Sequence, residues 1–311
     1  MNVIARSGVT KQSPGGEEIA SPARDRGLAM TLLKSAAQVL EQAGISRPQW
    51  TAEQLLAERL GCLPVDLYSK APAVPLEDSI QFRAAVAARA GGMPLQYLLG
   101  SADFYGRRFS VGPGVFNPRP ETEVLVEVAL DVMGRSVRGE LVEPRTFRVA
   151  DAGTGSGAIA VTLAMERPGL EVIAVEQSAV ALHFARRNAA SHGCTVQFLL
   201  GNLLEGFAPE SLDAIVANPP YLDAEQSASW PRELAWEPWI ALDGGAEGTE
   251  LIGTLIRQAA AVLKPGGPMI LEIGMDQAAG VRMLAEQKGF RVDRIVQDLA
   301  GLDRVVVLWK N

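Results

Sequence analysis

The sequence predicts an α/β fold in which a parallel sheet carries helices on both faces and a small helical bundle precedes it. Three observations lead there. From residue 148 onward, runs rich in Val, Ile and Leu alternate with helical patterns in the order strand, turn, helix. The first strand runs into DAGTGSG (151–157), a glycine-rich turn that opens a helix. Ahead of these, residues 28–92 show helical spacing three times.

The totals are those of a globular protein. The chain has 311 residues, 48% apolar and 21% charged, enough for one large domain or two unequal ones. No apolar run reaches the roughly 18 residues a membrane span needs. Lys and Arg number 29 against 36 Asp and Glu, a formal charge of −7. That balance argues against a general nucleic-acid coat, and no stable nucleic-acid binding is expected. Cys62 and Cys194 stand far apart, and the histidines are His183 and His192. No metal site is predicted from so few ligands. Two isolated cysteines fit a reducing, cytoplasmic setting.

Residues 1–27 show no periodicity and no secretory pattern, and read as a disordered extension. Residues 28–43 place apolar side chains at helical spacing and stop at Gly44. TAEQLLAERLG (51–61) repeats the pattern, with Thr51 as the expected N-cap and Gly61 as the stop. Residues 76–92 form a third helix. Together, residues 28–93 are expected to be a helical domain that docks the substrate. Residues 94–120 are expected to be a linker built on a β-hairpin, with a turn at Pro113-Gly114. The α/β domain then spans 121–311. It begins with a helix at 121–133 whose first turn is acidic. The polar stretch 135–147 reads as a loop insertion. Seven strands follow: FRVADA, LEVIAVE, VQFLLG, LDAIVAN, GPMILEIG, FRVDRIVQD and DRVVVLWK. Helices are expected at 157–166, 179–193 and 249–263. The short connection between the last two strands suggests an antiparallel strand at one edge.

Four short motifs carry chemistry. In DAGTGSG, Gly153, Gly155 and Gly157 let the backbone turn sharply and a ligand come close. Such a loop suits either a dinucleotide pyrophosphate or the amino-acid part of S-adenosylmethionine. Glu176 ends the second strand about 20 residues further on, where an acid takes both ribose hydroxyls of either ligand. In GNLL (201–204), Asn202 is placed to read an adenine amino edge and Leu203 to pack on its ring. The last motif is NPPY. Asn218 sits at the C-terminal tip of the fourth strand, where ligands of open parallel sheets bind. Pro219 and Pro220 fix φ and carry no N–H, so their carbonyls remain as acceptors in a set bend. Tyr221 adds a flat face. Two acceptors beside an aromatic ring suit a planar group bearing NH₂, whose nitrogen is then aimed at an electrophile.

DAGTGSG, Glu176, GNLL and NPPY, in this order, resemble a class I S-adenosylmethionine-dependent methyltransferase acting on an amino nitrogen. NPPY alone is shared with enzymes that methylate adenine or guanine amino groups of DNA or RNA, and that remains the alternative substrate class. The narrower resemblance rests on FYGRRFSVGPGVFNPRPETEVLVE (104–127), EPWIALDGGAEGTELI (237–252), LKPGGPMILEIG (263–274) and DLAGLDRVVV (298–307). These are similar to the HemK/PrmC family, the protein-(glutamine-N5) methyltransferases of peptide chain release factors, over residues 28–311. The resemblance implies a Rossmann-like sheet of seven mostly parallel strands. It also implies methyl transfer from S-adenosyl-L-methionine to the glutamine of the Gly-Gly-Gln loop of class I release factors, leaving S-adenosyl-L-homocysteine. Carried over by position, Gly153, Thr154, Gly155, Ser156, Gly157, Glu176, Asn202, Leu203 and Asn218 are expected to hold the cofactor. Asn218, Pro219, Pro220 and Tyr221 are expected to hold the glutamine, with Asn218, Pro219 and Tyr221 catalytic. Phe116, Arg119 and Glu121 are expected to border its pocket, and Asn117 stands where the family carries an aliphatic residue.

Overall fold

The computed structural model describes residues 22–138 and 146–311. The chain divides into two compact units after Ala90.

The first unit is helical: α1 (Pro22–Gln42), α2 (Pro48–Leu60), α3 (Pro64–Ser69) and α4 (Leu76–Ala90). Helices α1, α2 and α4 pack on one another, burying Leu33, Leu40, Leu56 and Phe82. Helix α1 starts six residues before the periodicity predicts, at a proline, which the first turn accepts because its missing N–H would have no partner there. The rest of the expected extension lies outside the described residues. Thr51 is not the cap of α2. Pro48 opens that helix after Arg47, leaving Thr51 buried inside it. Gly61 ends it as expected, in the left-handed conformation (φ 61°). The short helix α3 carries too few residues to show a period, and the sequence reading passes over it.

The second unit opens with α5 (Leu95–Leu99) and the hairpin β1 (Ser101–Phe104) and β2 (Arg107–Ser110). Tyr105 and Gly106 both have positive φ, as a two-residue hairpin turn requires. The tip is anchored by Glu123, which accepts the Tyr105 N–H at 2.8 Å. Gly112 and Val115 close the Pro113-Gly114 turn with a 3.2 Å backbone bond. Helix α6 (Thr122–Arg138) then extends into the expected loop insertion, whose residues 139–145 lie outside the described residues.

After α6 come β3 (Phe147–Ala152), α7 (Ala158–Glu166), β4 (Leu170–Glu176), α8 (Ala179–Ser191), β5 (Gln197–Leu200) and β6 (Ala214–Ala217). Short 3₁₀ turns fill much of 224–248. Then follow α9 (Glu250–Val262), β7 (Pro268–Glu272), α10 (Ala278–Gln287), β8 (Phe290–Gln297) and β9 (Asp303–Lys310). The sheet order is β5-β4-β3-β6-β7-β9-β8, with β9 antiparallel to both neighbours and the other pairings parallel. The seven expected strands are present, but the antiparallel one is not at the edge. Strand β9 inserts between β7 and β8, and composition explains why. Val305–Leu308 are fully buried, as a central strand needs, whereas β8 carries Arg291, Asp293 and Arg294 and tolerates an edge. Helix α10, missed in the sequence, makes the β7–β8 crossover.

Alternation sets the two faces. Val149, Val172, Ala174, Ala214, Val216 and Ile270 point toward α6 and α7; Ala150, Ile173, Ile215, Met269 and Leu271 point toward α9 and α10. The chain winds one way from β3 to β5, then returns to place β6 on the other side of β3. Such a reversal opens a crevice at the C-terminal strand ends.

Asn188 of α8 ties the hairpin to that crevice. It is fully buried, accepts the Ser110 N–H at 2.7 Å, and donates to Ser110 O at 3.0 Å and Ser156 O at 2.8 Å. Replacing Asn188 with Ala leaves these backbone groups without partners. The expected loss is about 2–4 kcal/mol of unfolding free energy, read by urea denaturation.

Candidate active site

The crevice holds a cavity of about 260 Å³, bounded by Gly153–Ser156, Glu176, Leu203, Asn218–Tyr221, Phe116 and Arg119. Its floor is the β3–α7 turn. Asp151 is fully buried and holds that turn from inside: one carboxyl oxygen accepts from Thr154 Oγ1 at 2.6 Å and from the Ala160 N–H at 3.1 Å. Burial pushes its pKa up to about 7, against the opposing pull of those two bonds. Gly153 and Gly155 have φ of 78° and 57°, and a Cβ at either would enter open space. The backbone here is thus bare toward the cavity. Gly157 is different. It is off the cavity wall, and a Cβ there would lie 3.1 Å from Ala185, so this glycine serves the packing of α7 against α8.

Glu176 reaches back to the same turn. Its carboxylate accepts the Gly155 N–H at 2.9 Å and the Ser178 N–H at 2.8 Å. Leu203 lines the cavity in a left-handed conformation (φ 51°). Asn202 does not. It is exposed, and its amide donates to Glu205 at 2.9 Å. A one-residue step along a turn reverses the side chain, so the expected adenine contact rests on Leu203 alone.

The opposite wall is NPPY. Strand β6 is wholly buried and ends at Ala217, which delivers Asn218 to the cavity. Asn218 Nδ2 donates to Thr122 Oγ1 at 3.1 Å, at the start of α6. The Tyr221 hydroxyl donates to Glu272 Oε1 at 3.3 Å, at the end of β7. Burial and the neighbouring Glu272 raise the Tyr221 pKa well above its ordinary value, so the phenol is neutral. Burial likewise lifts Glu272 to about 7, opposed by Thr122, Arg304 and Tyr221; Glu121 adds to the rise.

The motif is clamped from behind. Gln277 Nε2 donates to Tyr221 O at 2.9 Å and Gly248 O at 3.1 Å, while its Oε1 accepts the Gly274 N–H at 2.9 Å. Leu222 pairs with Leu242 and Gly244 through backbone bonds of 3.0 and 2.9 Å. The segment runs so close that a Cβ on Gly248 (φ 66°) would lie 2.2 Å from Tyr221 O.

The third wall comes from the segment before α6. Glu237, whose side chain is fully buried, pairs with the Arg119 guanidinium and accepts the Asn117 N–H at 3.2 Å. The guanidinium lies 4.8 Å from the Phe116 ring centre, in cation–π geometry. Asn117 therefore does what an aliphatic residue in its place would not: its side-chain amide also reaches Glu237, at 3.5 Å. Glu121, one residue before α6, is exposed and off the cavity wall. Thus Phe116, Arg119, Gly153–Ser156, Glu176, Leu203 and Asn218–Tyr221 converge, while Glu121, Gly157 and Asn202 do not. Sequence reasoning missed Gln277, Glu237 and Glu272. The last leaves a trace: an acid ends the apolar run PMILE, as Glu176 ends LEVIAVE.

The sequence matches the methyltransferase small domain over residues 123–233 and the PrmC N-terminal domain over residues 31–100. With the seven-stranded sheet and the glycine turn, these place the protein among the class I S-adenosylmethionine-dependent methyltransferases. It is 40% identical over 278 residues to the release factor glutamine methyltransferase of Cereibacter sphaeroides, covering 88% of this chain and 95% of that protein. The protein of the same name from Neisseria gonorrhoeae is 44% identical over 221 residues, 70% and 77% of the two chains. That from Geobacter sulfurreducens is 39% identical over 270 residues, 86% and 91%. The chain belongs to the release factor glutamine methyltransferase family. Its crevice fits S-adenosyl-L-methionine: bare backbone at Gly153 and Gly155, a carboxylate at Glu176 and an apolar wall at Leu203. Among the described residues no helix is long and apolar enough to cross a membrane, and no cluster of metal ligands occurs.

Two measurements test this geometry. Gly248→Ala is expected to displace the Tyr221 carbonyl and lower kcat about 100-fold at unchanged cofactor affinity. The folded protein also holds a proton on Glu272 up to about pH 7 that the unfolded chain releases near 4.5. That contribution to stability is full below the lower value and is lost as pH rises through the higher one. The melting temperature of wild type relative to Glu272→Gln is therefore expected to fall between about pH 5 and about pH 7.5.

Proposed function

We propose that this enzyme transfers a methyl group from S-adenosyl-L-methionine to the side-chain amide nitrogen of the glutamine in the Gly-Gly-Gln motif of class I peptide chain release factors. The observation that carries the reading is the Asn218 amide. Its NH₂ is engaged by Thr122, which leaves its carbonyl oxygen as an acceptor in the cavity beside the Pro219 carbonyl and the Tyr221 ring. The relatives' name supplies the kind of substrate.

The bound cofactor supplies a sulfonium-activated methyl group and departs as S-adenosyl-L-homocysteine. Gly153, Thr154, Gly155 and Ser156 offer it their turn, Glu176 its ribose-binding carboxylate, and Leu203 a surface for the adenine. Asn218 Oδ1 and the Pro219 carbonyl accept the two N–H bonds of the substrate amide. Pro220 holds the bend, and Tyr221 lies against the amide plane. Phe116 and Arg119 close the side of the pocket. An amide is a poor nucleophile, and acceptors fixed before the substrate arrives offset that by orienting the nitrogen. The surplus proton leaves the product nitrogen afterwards, so no ionised base is needed beside it.

The first unit acts as the docking module for the release factor. The match over residues 31–100 to the PrmC N-terminal domain supports this, as do its exposed Leu63, Val65, Leu76 and Ile80. A formal charge of −7 disfavours the phosphate backbone of nucleic acid, which supports a protein substrate and no stable nucleic-acid complex.

Labelled S-adenosyl-L-methionine is the test, with purified release factor, its Gln→Ala loop variant, and RNA and DNA as parallel substrates. Label on the factor, absent from the variant, is expected; label on nucleic acid instead would overturn the substrate. Asn218→Ala is expected to remove most of the rate, about 100-fold or more, while calorimetry shows cofactor affinity largely intact. Equal loss of both would refute this division of roles.

A further inference from the structure

Tryptophan edges the opening of the cavity. Three of the chain's five tryptophans, Trp230, Trp236 and Trp239, fall within residues 230–239. The end of that segment is tied to the substrate motif, since Leu222, the residue after Tyr221, pairs with Leu242 and Gly244 at 3.0 and 2.9 Å. Pro238, Ile240, Ala241 and Leu242 line the cavity, yet Ile240 is 49% exposed, so it stands where the cavity meets solvent. Trp239 is its neighbour in the same 3₁₀ turn, Trp239–Ala241, and is 51% exposed. This ring is held in place. It stacks on Trp230 with centroids 5.2 Å apart and planes at 27°, and its indole N–H donates to Asp243 Oδ2 at 2.9 Å. Asp243 accepts the Gly245 N–H through its other oxygen at 2.8 Å. With its N–H spent, Trp239 offers a partner only its ring. Trp236 differs: it packs over Gly92, where a Cβ would lie 3.4 Å from its Nε1.

A large aromatic fixed in advance and left half in water is the kind of anchor that binding surfaces use. Such a ring can stack on a nucleic-acid base or on a peptide plane. Charge decides between them. Residues 223–250 carry the acids Asp223, Glu225, Glu233, Asp243, Glu247 and Glu250, with Arg232 their one cation, and acids at that density repel phosphates. A peptide is therefore the occupant. A glutamine side chain is short, so when its amide reaches Asn218 and Tyr221 its own main chain lies at the opening. A glycine next to it carries no side chain to hold the peptide plane off a ring.

We propose that Trp239, braced by Trp230, is the platform on which the main chain beside the target glutamine lies, and that it selects for the glycines preceding that glutamine. The inference rests on the function proposed above and assigns Trp239 a specificity-determining part in it.

The test follows labelled S-adenosyl-L-methionine into purified release factor and into a factor variant with Ala for the glycine next to the glutamine. Trp239→Leu is expected to raise KM for the factor about 30-fold, with kcat and the calorimetric Kd for the cofactor little changed. Trp239→Phe, which keeps a flat face and loses the bond to Asp243, is expected to recover most of that loss. The glycine-to-alanine factor is expected to cost wild type about 10-fold in kcat/KM and to cost Trp239→Leu nothing more, because the surface it clashes with is gone. An unchanged KM in Trp239→Leu would overturn the proposal, as would multiplying losses in the cycle. So would a weakened cofactor Kd, which would make the pair a cover for the cofactor instead. Should Trp239→Leu not fold, Trp230→Leu takes its place, and a KM that does not rise would be equally fatal. Wild type separates the two levels. No label on the factor from wild type would overturn the functional reading and the platform with it, whereas label with an unchanged KM in the variant would overturn the platform alone.

Discussion

Four neighbouring strands each carry a polar side chain at or just beyond the C-terminal end, all on the face covered by α6 and α7: Asp151, Glu176, Asn218 and Glu272. Asp151, Glu176 and Glu272 are buried and Asn218 is half-buried on the cavity wall, and the rest of the site depends on how these groups are satisfied. A buried polar group without a partner costs more than a typical hydrogen bond returns, so each must recruit one from the surrounding chain. Asp151 recruits Thr154 and the first turn of α7, and so shapes the glycine turn. Glu176 recruits the backbone of that turn and of the entry to α8. Asn218 recruits the Thr122 hydroxyl, and Glu272 recruits the Tyr221 hydroxyl.

The result is a crevice with two chemically distinct halves. The half at β3 and β4 is bare backbone and carboxylate, suited to a ligand with hydroxyls. The half at β6 and β7 is neutral: a phenol kept protonated, an amide, proline carbonyls and a buried carboxyl raised toward neutrality. A neutral wall suits a neutral amide substrate, which an ionised side chain would draw out of register. The glycines of 244–248 matter for the same reason. They let a second loop approach Tyr221 closely enough for Gln277 to grip the carbonyls of Tyr221 and Gly248.

Much of this was legible in the residues. The seven strands, the glycine turn, Glu176 and NPPY all showed, because each is a local signal: a period of two, a left-handed turn, or a strand that stops at a polar group. The place of β9 was not. The short β8–β9 connection is visible, but whether the last strand caps the sheet or enters it depends on competition for buried positions. Val305–Leu308 win that competition over a strand bearing Arg291 and Arg294. Asn202 misled for a related reason: the turn after β5 aims alternate side chains apart, and only the folded backbone shows that Leu203 faces inward.

The sequence by itself determined the succession of strands along the chain, the glycine turn, and the amide and aromatic that line the crevice. It did so because propensity, alternation and proline act over a few residues. Only the tertiary structure decided which carboxylates stand behind which motif. Thr122 and Asn218 are 96 residues apart, Asn117 and Glu237 120, and Tyr221 and Glu272 51. Pairs at such distances leave no local pattern. They meet because parallel strands align their ends and α6 lays its first turn across them.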